Sequence, residues 1–234
     1  MEQIYTIPIN EAFENSASDH SLGCPFCNLH KKFEDDELSL ILGASMMEPD
    51  VRIKTNELGF CNRHYKKMFS AGKKLPLALI LESHLATVSE SLTINKLLPA
   101  ASGKNAAKTF SKLSETCYIC ERIERNFNHM LNNAVALFMA DVDFRKKCAS
   151  QPCFCIEHYG QFLAMAQQKL KGKDFAALYK TVFQVEEKYV KKVQENVSFF
   201  VKKFDYRYAD EPWGDAKDAV EKAIISLTGE HPEE

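Results

Sequence analysis

No stretch of this 234-residue chain stays apolar long enough to cross a bilayer. The most apolar run, LPLALIL at Leu75–Leu81, is followed at once by Glu82, Ser83 and His84. That is far short of the ~20 residues a membrane helix needs. The N-terminus, MEQIYTIPINEAFENS, carries acids and a proline and lacks the unbroken apolar core of a secretory leader. The expected location is therefore the cytoplasm, where thiols stay reduced, and no membrane partner is expected. An excess of charge of one sign is also missing. The net charge is −2 with 26% charged residues, whereas a surface given over to nucleic acid is clearly basic. No HExxH, GxSxG or glycine-rich phosphate loop occurs. No hairpin signal and no alternation of strands with helices is visible, which leaves an all-α fold. Disorder is excluded by an apolar content of 45%.

Against these absences stand eight cysteines. In a reducing compartment they point to metal binding before disulfides. They also belong to a repeat. GFCNRHY at Gly59–Tyr65 returns as CFCIEHY at Cys153–Tyr159. Each copy is preceded by a CxxC, CPFC at Cys24–Cys27 and CYIC at Cys117–Cys120. The separation is 37 positions from Cys24 to Cys61 and 38 from Cys117 to Cys155. Between them, DVRIK from Asp50 is echoed by DFRKK from Asp143. The whole order, with one residue of slippage, marks an internal duplication. It divides the chain into a first half at 1–98, a linker at 99–116 rich in Ala, Ser, Lys and Thr, and a second half at 117–234 that includes the C-terminal helices. The two halves are compatible with a single packed domain.

Helical periodicity supports the fold class. Ile123, Phe127, Met130, Leu131, Ala134, Leu137 and Phe138 fall at steps of three and four. Phe33, Leu38, Ile41, Leu42 and Met46 follow the same rule, and Pro49 is expected to close their helix. Further helices are expected after His64 up to Gly72, over Leu75–Leu98 and, longest of all, over Asp174–Tyr206. A last short helix over Ala219–Leu227 follows a break at Gly214, with Asp215 as its candidate cap.

A tetrahedral zinc site needs four soft or borderline ligands converging on one point, and CxxC supplies two of them from a single turn. Cys-x-x-His at a helix start supplies two more, because residues three apart share a face. The spacing predicts one Cys₃His site from Cys24, Cys27, Cys61 and His64, and a second from Cys117, Cys120, Cys155 and His158. Two zinc ions follow, with iron–sulfur ligation as the less favoured cofactor. Cys153 aligns with Gly59, and Cys148 with nothing useful, so both read as bystanders, although either is near enough to stand in for Cys155. His30 lies three after Cys27, but its counterpart is Ile123, and His84 and His129 sit within helical segments. Asp50 with Arg52, and Asp143 with Arg145, read as ion pairs or helix caps supporting the metal loops.

The motifs CPFC, DVRIKTNELGFCNRHY, CYIC, FCIEHY and the tail EPWGDAKDA carry a resemblance over nearly the full length. The chain resembles a bacterial, mainly Gram-positive, family catalogued only as a domain of unknown function. The resemblance implies the duplicated Cys/His architecture and no activity. Four protein ligands leave no open position on the metal, so the reading leans towards a non-catalytic, zinc-stabilised helical module that binds another protein. Trp213, Tyr206 and Tyr208 are the candidate anchors. Two alternatives are kept. One is nucleic-acid binding through lysine pairs such as Lys31–Lys32, Lys66–Lys67, Lys73–Lys74 and Lys202–Lys203. The other is a thiol-based redox sensor or enzyme, since CPFC is similar to the redox pair of glutaredoxin-like proteins. That pair, however, belongs after a strand.

Overall fold

Residues 6–92 and 99–230 are described by the computed structural model. Among them are eleven α-helices and no strand: α1 Thr6–Ser18, α2 Pro25–Ile41, α3 Pro49–Leu58, α4 Asn62–Ser70, α5 Lys74–Ser91, α6 Pro99–Glu115, α7 Tyr118–Ala140, α8 Val142–Ala149, α9 Ile156–Lys169, α10 Gly172–Lys202 and α11 Ala219–Thr228. None of the described helices is long and apolar enough to cross a membrane.

The chain forms two compact units. One contains the described residues up to His30 together with those from Phe127 onward; the other contains the described residues of Lys31–Asn126. Helices α2 and α7, which follow the two CxxC motifs, therefore contribute residues to both. The units do not coincide with the two halves of the sequence repeat.

The first unit is built around phenylalanines. Phe13 packs edge-on against Phe26 at 5.2 Å between centroids and lies 4.9 Å from Phe144. Phe26 in turn meets Phe127 at 5.9 Å and Phe162 at 5.0 Å. Tilted and edge-on contacts suit the ring quadrupoles better than face-to-face stacking. All five rings are buried. The apolar stripe of α7 supplies Phe127, Met130, Leu131, Ala134, Leu137 and Phe138, all of them buried. In the second unit, Ile41, Leu42, Met46, Phe60, Met68, Leu77, Ile80, Tyr118, Ile119 and Ile123 make the core. Burial of these faces stabilises helices that are weak by themselves.

Local chemistry sets the helix ends. Asp141 caps α8 by accepting hydrogen bonds from the backbone N–H of Asp143 and Phe144. The Arg145 guanidinium donates to the carbonyls of Phe138 and Met139 and so closes the C-terminus of α7. Asp143 pairs with Lys146 at 2.8 Å. Pro49 opens a helix and does not close one. Helix α2 already ends at Ile41, a 3-10 turn spans Ala44–Met47, and Pro49 is the first residue of α3. Its missing N–H costs nothing there, and its fixed φ suits the first helical position. The stretch taken as a linker contains α6. The helix expected over Leu75–Leu98 is α5 up to Ser91, and residues 93–98 lie outside the described residues. Asp215 does not cap α11. Its carboxylate pairs with Lys192 at 2.8 Å, and Asp218 holds the cap position without a side-chain hydrogen bond.

Helix α10 is buried only along its first half, at Leu178, Val182, Val185 and Glu186. Beyond its end, the buried Lys203 ammonium donates to the carbonyls of Tyr208 and Ala209 at 2.7 and 2.8 Å. The same ammonium lies 5.3 Å from the Trp213 ring centre, and Trp213 packs on Phe200 at 5.5 Å. Trp213 is thus largely used in docking the C-terminal turn, whereas Phe204 and Tyr206 are 78% and 87% exposed.

Candidate metal centres

Each Cys-x-x-His begins a helix. Cys61 and Cys155 occupy the N-cap positions of α4 and α9 with extended backbone, and His64 and His158 follow in the first turn. This places the thiol and the imidazole on one side of the helix start. The imidazole turns its Nδ1 towards its own cysteine, at 3.2 Å from Sγ for His64–Cys61 and 3.1 Å for His158–Cys155.

The remaining two donors come from the CxxC of the other half of the chain. One quartet is Cys24, Cys27, Cys155 and His158; the other is Cys61, His64, Cys117 and Cys120. This corrects the pairing read from the sequence, in which each CxxC closed on the Cys-x-x-His nearest along the chain. All eight predicted residues are gathered into quartets, but the partners are exchanged. Backbone bonds show what fixes the exchange in the second unit. The N–H of Tyr118, between Cys117 and Cys120, donates to the carbonyl of Gly59 at 3.0 Å. The Thr116 hydroxyl donates to the carbonyl of Leu58 at 2.8 Å. These bonds hold CYIC beside the turn that leads into Cys61. Gly59 occupies that turn at φ +60°, and a Cβ there would stand 3.1 Å from the His84 ring. The positive φ favours glycine, and a side chain there would also press on the His84 ring.

The donor spacing fits a single tetrahedral ion. With zinc–sulfur bonds of ~2.3 Å, two sulfurs on one ion stand about 3.8 Å apart, and a sulfur and an imidazole nitrogen slightly closer. In the first quartet Cys27 and Cys155 sulfurs are 3.5 Å apart, and His158 Nδ1 is 3.3 Å from Cys27 and 3.9 Å from Cys24. In the second, Cys61 and Cys120 sulfurs are 3.9 Å apart, and His64 Nδ1 is 3.2 Å from Cys117 and 3.4 Å from Cys120. Within each quartet all four ligand atoms lie within 4.8 Å of one another. All eight cysteines are free thiols. Either quartet could hold a metal ion.

Electrostatics agrees with that capacity. Hydrogen bonding from the Cys120 thiol, and then from His64 against the opposing effect of burial, lowers Cys117 to about 3. Cys155 is likewise held well below the ordinary thiol range by the Cys24 and Cys27 thiols. The neighbours answer in the opposite direction. Burial pushes Cys24 up, hydrogen bonding to Cys155 pushes Cys27 up, and hydrogen bonding to Cys117 pushes Cys120 up. Thiolates this close cannot all be charged unless a cation balances them.

Sequence reasoning missed the groups around the donors. Glu34, 2% exposed, accepts from His64 Nε2 at 3.0 Å and from Lys67 at 2.7 Å, with Arg63 at 3.2 Å. Burial alone would raise this carboxyl; the bonds to His64 and Lys67 outweigh it and lower it to about 2. Burial alone would lower His64; its bonds to Cys117 and Glu34 raise it to about 9. With its Nε2–H donated to Glu34, His64 turns Nδ1 towards the quartet, where a bound metal ion would displace the Nδ1 proton. Glu34 lies seven residues after Cys27; the residue seven after Cys120 is Phe127. That ring packs against His158 at 4.8 Å. One imidazole is thus oriented by a carboxylate, and the equivalent one is walled by an aromatic ring. Glu186, also buried, accepts the Phe154 N–H at 3.1 Å beside Cys155, and burial raises it to about 7. The only sign of it in the sequence was an acid within the apolar stripe of α10.

The demoted residues stay outside the quartets. Cys148 and Cys153 are buried thiols; burial raises both, Cys153 to about 12. Neither replaces Cys155. His84 Nδ1 lies 3.0 Å from the Asn56 carbonyl, and His129 is exposed. The His30 ring centre is 6.1 Å from that of His158, as a packing neighbour.

An all-α protein with two duplicated Cys₃His quartets, each able to take a metal ion, is the class that this fold and geometry define. The chain belongs to the family described as "Family of unknown function (DUF6062)", whose model matches residues 1–234. No curated protein matches it, and no solved structure does.

The exchanged pairing makes a stoichiometric prediction. A Cys24→Ser, Cys155→Ser double variant disables one quartet and should retain one metal ion per chain by mass spectrometry of the metal. A Cys24→Ser, Cys61→Ser double variant disables both and should retain none. Pairing along the sequence gives the reverse order. Glu34→Ala should weaken zinc at the His64 quartet by about 10- to 100-fold in chelator competition, leaving the His158 quartet unchanged.

Proposed function

We propose that each quartet binds one zinc ion as a closed structural centre, and that the protein is a non-catalytic helical scaffold that presents a surface to a protein partner. The observation that carries this reading is the convergence of four protein donors at single-ion spacing in both quartets. A catalytic zinc commonly keeps three protein ligands and a water. Four filled positions leave the ion a folding role. A structural zinc contributes on the order of 10 kcal/mol in small peptides, comparable with the whole stability of a typical domain. Here each ion would tie a CxxC turn to a helix start distant in sequence. An iron–sulfur cluster fits less well, because a polynuclear cluster spreads its thiolates over different irons and so further apart than on one ion.

The surface supports a protein partner over nucleic acid. Several lysines that suggested a basic face are used within the chain. Lys67 pairs with Glu34, the Lys74 ammonium stands 3.0 Å above the Phe69 ring, and Lys203 is buried. Exposed aromatic residues at Phe204 and Tyr206 are the side chains best suited to anchor a protein surface.

Protein purified without added metal should contain two zinc ions per chain. Removing them with a strong chelator should abolish cooperative thermal unfolding, and adding back two equivalents of zinc should restore it. Metal-free protein with an unchanged melting curve would contradict the structural role.

A further inference from the structure

The two quartets differ in access although their donors are the same. In the first, Cys24, Cys155 and His158 are 5%, 2% and 7% exposed and Cys27 is half-buried, so no donor is exposed. Phe127 covers the imidazole at 4.8 Å. The left-handed turn that ends α11 lies against the sulfurs. A Cβ placed on Gly229 would stand 3.2 Å from Cys155 Sγ and 3.4 Å from Cys27 Sγ. An attacking molecule has no open approach to those two sulfurs from that side.

In the second quartet only His64 and Cys117 are buried. Cys120 is exposed and Cys61 half-buried, and their sulfurs are 3.9 Å apart. Two of the four donors thus form a pair on the solvent side, near enough to bond to each other after a small displacement. Cys120 lies in the first turn of α7 and Cys61 at the N-cap of α4. A thiolate at an exposed position reacts with oxidants, whereas a buried one is inert.

We propose that the Cys61–Cys120 pair is an oxidation site for small peroxides, which releases the zinc of this quartet alone and makes the protein a peroxide-responsive zinc-release device. With zinc bound, Cys120 is held as a thiolate; it attacks one peroxide oxygen, an S–O bond forms, the O–O bond breaks and hydroxide leaves. The Cys61 thiolate then attacks the sulfenic sulfur; the S–S bond forms and the S–O bond breaks, with loss of a second hydroxide. Two thiolates lose two electrons in total, and hydrogen peroxide is reduced to two hydroxides that take up protons as water. With Cys61 and Cys120 joined, only His64 and Cys117 would remain to hold the ion, and it would be released. The other quartet keeps its zinc and continues to hold the first unit folded. A dithiol reductant reverses the step, and the quartet rebinds zinc.

This inference rests on the zinc reading above, and the test separates the two. Full-length protein shown to contain two zinc ions is treated with hydrogen peroxide in stoichiometric to tenfold amounts, and released zinc is followed with a chromogenic chelator. The expected result is release of one equivalent, with a Cys61–Cys120 cross-linked peptide in the digest. Cys24, Cys27 and Cys155 should remain reduced, and a thiol reductant with added zinc should restore two equivalents. Alkylation of untreated protein with iodoacetamide should modify Cys120 first. Release of both ions together, release from the Cys155 quartet first, or a disulfide that excludes Cys61 would overturn the proposal. So would protein that holds both ions under peroxide. Protein with no zinc at the start would instead overturn the zinc reading itself. A Cys120→Ser variant, whose remaining quartet should retain one zinc, should release none under the same peroxide; release from it at the wild-type rate would also overturn the assignment.

Discussion

Everything in this molecule turns on where two short turns meet. A CxxC and a Cys-x-x-His each hold two donors in place by local backbone geometry, but neither can satisfy a tetrahedral ion alone. The structure joins the CxxC of one half to the Cys-x-x-His of the other. Each quartet therefore fixes contacts 128 to 134 residues apart in one unit and 53 to 59 apart in the other. Closing such long loops is entropically costly. Cross-links between distant positions are where a bound ion contributes most to the folded state.

Duplication with exchange also accounts for differences between the two centres. Equivalent positions in the repeat lie beside different quartets, so they are free to diverge. Seven residues after its CxxC, one half has Glu34, which orients His64, and the other has Phe127, which covers His158. The α11 turn at Gly229 lies against two sulfurs of one quartet, while in the other Cys120 is exposed. Two sites with the same donors thereby acquire different accessibility.

The helical fold and the eight residues that gather into the two clusters were readable in the sequence, because both are periodic signals. The α7 stripe has the period of a helix, and the ligands repeat with fixed spacing. The partnership of the donors was not readable, since spacing along the chain says which residues share a turn and not which turns share a point. Of the deciding bonds, that from Tyr118 to Gly59 is made by backbone alone and leaves no mark in residue type, and the Thr116 hydroxyl bonds a backbone carbonyl that the sequence does not single out. Pro49 misled for a related reason: proline both ends and begins helices, and only the earlier stop at Ile41 shows which role it plays. Glu34 is one of four consecutive acids on α2 with nothing in residue type to set it apart, and its burial follows from His64, Lys67 and Arg63 around it.

The proposed structural role requires a zinc ion at the centre of each exchanged quartet. Anomalous diffraction recorded on either side of the zinc absorption edge measures that directly. Two zinc-specific peaks per chain are expected, one within bonding distance of the ligand atoms of Cys24, Cys27, Cys155 and His158, the other of those of Cys61, His64, Cys117 and Cys120. No zinc peak at either position, or a peak joining Cys24 and Cys27 to Cys61 and His64, would contradict it.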